Sequence, residues 1–239
     1  MDLFLESFRT GLKTEALLKR LVIVALDTKA FERCQQVHPL CYDLAVDGAN
    51  LASEQKYMAK DYLDMVWRRV RFQGRVLELG YSFVLTDMDI VWFRSPLLRI
   101  PIGADIAIAC DSFHGDNPYD LNKRANSGLV YAKASARTAM FYDAWYDVRT
   151  LFPGQKTQDV FKKLKHQLAE RVGVTLQFVD TAYLGTFCDR RRRRRRDFNK
   201  LCTFHANCII GLKPKVEKLR RVLDEWKRFK ASNSTTLTD

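Results

Sequence analysis

Four of the five apolar runs in this chain close on an aspartate, and that repetition constrains its fold more than any other feature. Residues 21–26 read Leu-Val-Ile-Val-Ala-Leu and end at Asp27, and residues 81–86 end at Asp87-Met88-Asp89. Residues 104–109 end at Cys110-Asp111, and residues 175–179 end at Asp180. The remaining run, residues 128–132, follows Asn126-Ser127. Short apolar stretches bounded by polar turn residues read as buried strands. Helix-period patterns lie between them, over residues 57–79, 136–148, 158–172 and 214–229. Gly74 is expected to part the first pattern into two helices, and Gly80 to stop it. A turn-rich stretch runs from His38-Pro39 to Asp47-Gly48-Ala49-Asn50. Strands alternating with helices predict an α/β fold with a mainly parallel central sheet. One domain is expected over residues 1–230, with a small polar, frayed tail over 231–239.

With 239 residues, 47% of them hydrophobic and 28% charged, the chain has material for a substantial core, which excludes wholesale disorder. The formal net charge of +12 is concentrated: seven consecutive arginines, Arg190 through Arg196, supply more than half of it. A nucleic-acid-binding protein wants a basic face built into its fold, with aromatic residues interleaved, so specific nucleic-acid binding is not expected. The run reads as a solvated, mobile loop with a weak polyanion affinity. No window approaches the roughly 20 apolar residues of a membrane span, and the first residues lack a secretory signal pattern. The six cysteines, at positions 34, 41, 110, 188, 202 and 208, contain no C-x-x-C pair, which argues against a zinc cluster. They suit an oxidising compartment, and spacing alone leaves their pairing open.

Open α/β sheets bind ligands beyond the carboxyl ends of their strands, so the strand-end aspartates are expected to face one crevice. Asp87 and Asp89 are the sharpest pair, because two carboxylates one residue apart beyond a buried strand can turn toward one hard cation. Mg²⁺ or Mn²⁺ takes oxygen ligands and shares them with substrate phosphates. Alone, a D-x-D is most often a solvated loop; its weight here comes from the apolar runs on both sides. His205, in the polar island Thr203-Phe204-His205-Ala206-Asn207, can complete an octahedral site with its imidazole. Asn126-Ser127-Gly128 can present an amide to a sugar hydroxyl, or simply make a turn. Gln158-Asp159 open a helix, where a carboxylate is also favoured by the dipole.

Taken in order, residues 22–27, Cys34, His38-Pro39, Cys41-Tyr42 and residues 81–96 and 104–111 match one pattern, joined by residues 126–131, 141–145, 158–161 and 201–208. The chain resembles the plant nucleotide-diphospho-sugar transferase family (glycosyltransferase family 77), over residues 2–230. The resemblance implies a single Rossmann-like GT-A domain that binds a nucleotide sugar, typically a UDP-sugar, through Mn²⁺ or Mg²⁺. It places Asp89 and His205 on the metal, with Asp87 on the ribose or sugar. It puts Asn126, Ser127 and Gly128 against the sugar, and Gln158 and Asp159 near the transferred sugar and acceptor. It implies retaining glycosyl transfer to a cell-wall polysaccharide or glycoprotein in the Golgi lumen. Relative to the family the chain is expected to lack the membrane anchor, the stem and the first strand, which leaves a catalytically inactive remnant or partner protein as the alternative. It also departs from the pattern at Arg190–Arg196 and at Lys156-Thr157, where the family has His-Asp.

Overall fold

The computed structural model describes residues 1–44, 60–101 and 103–233; the expected turn at Asp47-Gly48-Ala49-Asn50 and the first residues of the pattern over 57–79 lie outside them. Helix α1 (Asp2–Thr10) opens the chain, followed by β1 (Ile23–Ala25), α2 (Thr28–Val37), β2 (Cys41–Asp43) and α3 (Lys60–Glu78). Then come β3 (Phe83–Thr86), β4 (Ile90–Trp92), β5 (Ile106–Cys110), β6 (Ala125–Ala132) and α4 (Ala136–Asp147). Helix α5 (Thr157–Val172), β7 (Leu176–Phe178), β8 (Leu184–Thr186), β9 (Thr203–His205) and α6 (Leu212–Ser232) complete it. Helix α6 therefore carries residues 231 and 232, which the sequence reading assigns to the frayed tail; residues 234–239 lie outside the described part.

The α/β class holds, but the strand pairing is mixed rather than mainly parallel. The central sheet has the order β3-β6-β5-β7, in which β6 is antiparallel to both neighbours and only β7 runs parallel to β5. A parallel neighbour requires a crossover, usually through a helix. Residues 111–124 between β5 and β6 contain no helix, so the chain turns straight back. A second sheet, β4-β9-β8, and a two-stranded parallel ladder, β1-β2, flank the first. The run at residues 21–26 thus forms a strand outside the central sheet, and its closing Asp27 caps α2 by accepting from the Ala30 N–H at 2.8 Å.

Helix α3 shows how local chemistry sets the packing. Val66, Val70 and Leu77 make its buried stripe, and the helix runs unbroken through Gly74. A Cβ on Gly74 would lie 3.3 Å from the Tyr142 Cβ, so the glycine lets α3 approach α4 closely rather than parting two helices. A glycine in a helix interior costs about 1 kcal/mol relative to alanine, a cost offset here by the contact. Gly80, at φ +86°, does end the helix as expected. Between the central sheet and helices α3 to α5 sits a core built on Phe141, Tyr142, Trp145 and Phe161. The small sheet has its own core, in which Phe93 and Phe198 pack on Trp226 of α6.

Candidate active site

Asp87 and Asp89 occupy the turn between β3 and β4, where the chain leaves the central sheet and enters the small one. The backbone of each is tied to a different sheet. The Asp87 N–H donates to the Gly128 carbonyl of β6 at 2.7 Å, and the Ala206 N–H, just past β9, donates to the Asp89 carbonyl at 2.9 Å. The turn is therefore held between two frameworks, and its carboxylates are aimed by backbone hydrogen bonds.

His205 ends β9, opposite Ile90 of β4, and this register carries its ring to the aspartates across 116 residues of sequence. Its Nε2 lies 3.1 Å from Asp89 Oδ1 and 4.0 Å from Asp87 Oδ2. One ligand atom from each of Asp87, Asp89 and His205 falls within 4.8 Å of the others. Two carboxylate oxygens and one imidazole nitrogen form a donor set that suits Mn²⁺ or Mg²⁺. Gly128 makes room for the ring: a Cβ there would sit 2.3 Å from His205 Cε1 and 2.8 Å from Nδ1.

Cations complete the electrostatics. Arg69 of α3 reaches Asp87 Oδ1 at 2.8 Å and Ser127 Oγ at 3.1 Å. Lys215, in the first turn of α6, places its ammonium 2.6 Å from Asp89 Oδ2. Burial alone would raise the Asp89 carboxyl, but the His205 hydrogen bond and charge, followed by those of Lys215, hold it well below the usual carboxylate range. Asp89 is thus ionised at any physiological pH.

The neighbouring residues divide into those the fold gathers and those it leaves aside. A register shift in the β5–β6 ladder sets Ala109 opposite Asn126, which frees residues 127–129 from pairing with β5. Asn126 accepts from the Gly128 N–H at 2.9 Å and donates to Asp111 Oδ1 at 2.9 Å. Asn207 donates to the same Asp111 oxygen at 3.0 Å. Gln158, at the start of α5, lies 3.5 Å from Ser127 Oγ and donates to the Ala125 carbonyl at 3.0 Å. Asp159 stands apart, with its ion-pair partners Lys156 and Lys162 on its own N-cap and helix, at 3.9 and 3.8 Å.

The strand-end aspartates do not all face one crevice. Asp27 is the α2 cap, Asp111 holds two asparagines, and Asp180 binds Arg192 and the Ala182 N–H. Only Asp87 and Asp89 meet His205. Arg69 and Lys215 were not singled out in the sequence, because an arginine or lysine on an amphipathic helix reads as solvated wherever it stands.

Comparison with known proteins shows the family. The profile of the nucleotide-diphospho-sugar transferase family matches residues 16–219. The chain belongs to the nucleotide-diphospho-sugar transferase family of glycosyltransferases. Two uncharacterised Arabidopsis thaliana proteins are 38% and 36% identical to it, each over 98% of this chain and over 61% and 69% of their own lengths. A third Arabidopsis protein, UDP-D-xylose:L-fucose α-1,3-D-xylosyltransferase 3, is 20% identical over 91% of this chain and 61% of its own length. The chain therefore spans less than two thirds of the length of two of these relatives.

Proposed function

We propose that this protein transfers a sugar from a UDP-sugar to a polysaccharide or glycoprotein acceptor, using Mn²⁺ or Mg²⁺ held by Asp89 and His205 with Asp87 beside them. The observation that carries the reading is the convergence of Asp87, Asp89 and His205 from two sheets, with ligand atoms within 4.8 Å. The donor set fits such a cation, which would neutralise charge developing on the departing diphosphate. Asp89 enters the reaction ionised, because His205 and Lys215 stabilise its charge. Arg69 fixes the rotamer of Asp87 and bridges it to Ser127. Lys215 and Arg69 also bring positive charge to the edge of the site, where a diphosphate needs it. In this reading Asn126, Ser127 and Gln158 offer hydrogen-bonding groups to the sugar, and Asp159 serves the acceptor. Retention is taken from the family resemblance; among the described residues no side chain stands out as a covalent nucleophile, which favours attack on the same face assisted by the departing phosphate. Two disulfides, Cys34–Cys41 and Cys188–Cys208, support action in an oxidising lumen such as the Golgi.

The test is turnover. The 239-residue chain is incubated with Mn²⁺ and, in turn, UDP-xylose, UDP-galactose and UDP-arabinose, with release of UDP followed and the transferred sugar examined by NMR. Metal-dependent UDP release with the donor's anomeric configuration kept is the expected result. An inverted product contradicts the retaining route, and UDP release that EDTA leaves unchanged contradicts the role of the cation.

A further inference from the structure

The arginine run is largely exposed, as expected of a solvated loop, but the fold pins both of its ends. Asp189 is buried and accepts from Thr181 Oγ1 at 2.7 Å and from the Arg191 and Arg192 N–H groups at 3.0 and 3.3 Å. Arg192 pairs with Asp180 at the end of β7, next to β5 in the central sheet. Arg196 forks onto Glu225 of α6, with NH2 to Oε1 at 2.8 Å and to Oε2 at 2.6 Å, and lies 5.3 Å over the Phe204 ring. Arg192 and Arg196 are thus neutralised anchors. Arg190, Arg191, Arg194 and Arg195 are exposed, and no ion pair among the described residues engages them.

The anchors also place the run. The Phe187 N–H donates to the His205 carbonyl at 3.2 Å, and Cys188 is bonded to Cys208. Phe204, beneath Arg196, directly precedes His205 in β9. Four exposed guanidinium groups with no ion pair among the described residues therefore stand, beside half-buried Arg193, on a loop strapped to the strand that supplies the metal-site histidine.

We propose that Arg190, Arg191, Arg194 and Arg195 form a docking surface for a carboxylate-bearing glycan, the acceptor polymer of the reaction. This rests on the glycosyltransferase reading for its choice of polymer. Guanidinium groups pair with carboxylates through two parallel N–H bonds, and successive uronate residues offer such groups in series. A single-stranded nucleic acid also offers anions, but it gains its further affinity from stacking on aromatic side chains. Of the aromatic residues beside the run, Phe198 and Phe204 are buried in the small-sheet core and the partly buried Phe187 packs edge-on to Phe204, so they offer no such platform. The surface holds an acidic chain beside the donor site and raises its local concentration there.

The test compares the wild-type chain with R190Q/R191Q/R194Q/R195Q, which keeps the anchors Arg192 and Arg196. Three probes of equal length are titrated: an oligogalacturonate, its fully methyl-esterified form, and an oligouridylate. The wild type is expected to bind the oligogalacturonate at least ~10-fold more tightly than the variant, with an affinity that falls as salt rises. The methyl ester is expected not to bind, and the uridylate to bind more weakly than the uronate. Equal binding by the variant, or by the methyl ester, overturns the proposal, and uridylate binding as tight as uronate binding makes the surface a general polyanion site instead. UDP affinity with Mn²⁺ is measured on both proteins. If it is absent in both while the uronate result holds, the donor-site reading fails and the surface stands. If it is equal in both while uronate binding is unaffected by the variant, the surface fails and the donor site stands.

Discussion

The two sheets that meet at Asp87 and Asp89 are held together by different means. The central sheet rests on a wide apolar core, with Phe141, Tyr142, Trp145 and Phe161 packed edge-on or tilted between it and three helices. In the small sheet all three strands are three residues long, and specific contacts add to the smaller core around Trp226. The disulfide Cys188–Cys208, the hydrogen bond between Thr186 and Asn207, the anchor Arg196–Glu225, and Gly185 lodged against Phe204 all belong to it. The first sheet supplies stability, and the second aims His205 at a turn that the first sheet fixes. Damage to the core should therefore unfold the molecule, whereas damage to the small sheet should spoil the site first.

The largest effect tests the core. Phe141→Ala, at a position 1% exposed, is expected to cost about 3–5 kcal/mol, read from urea unfolding. A loss of nucleotide binding without loss of stability would contradict the division. Next is the disulfide. Closing a loop with a sequence separation of 20 is worth about 3 kcal/mol in the chain-entropy account. C188S/C208S is therefore expected to lower the unfolding midpoint and, because His205 and Asn207 lie just before Cys208, to weaken Mn²⁺-dependent UDP affinity as well. C34S/C41S, which removes the bond beside the β1-β2 ladder, should leave that affinity unchanged.

Gly128→Ala joins the two regions. Its methyl group would press on His205 from β6, an overpacking that costs about 1–3 kcal/mol. The metal-dependent UDP affinity should fall by more than the stability change accounts for, and Ser127→Ala, one residue earlier, should not reproduce the effect. The smallest change is a surface control: Arg33→Ala breaks the exposed pair with Asp2 and should shift stability by less than about 1 kcal/mol, with UDP binding intact.

Legibility in the sequence followed the same division. The central strands and their helices could be read because each buries a continuous apolar run or a helical stripe, a signal local to the segment. The small strands escaped because three residues carry no period, and the partner of β4 lies more than a hundred positions away along the chain, as Ile90 and His205 show. Mixed pairing was missed for a related reason: an apolar run does not record the direction of its neighbour. At the site, Asp87, Asp89 and His205 were found through the strand-end pattern and the family resemblance together. Arg69 and Lys215 were not, since only the fold distinguishes an arginine that grips Asp87 from one that faces water.

The central claim is that Asp89 and His205 hold the cation through which a nucleotide diphosphate binds. Calorimetric titration of UDP into the wild-type chain with Mn²⁺, repeated with EDTA and with Asp89→Asn, tests it most directly. The account predicts micromolar-range binding with Mn²⁺, about −8 kcal/mol, abolished by EDTA and by the substitution while the unfolding transition is kept. UDP binding that survives both would contradict it.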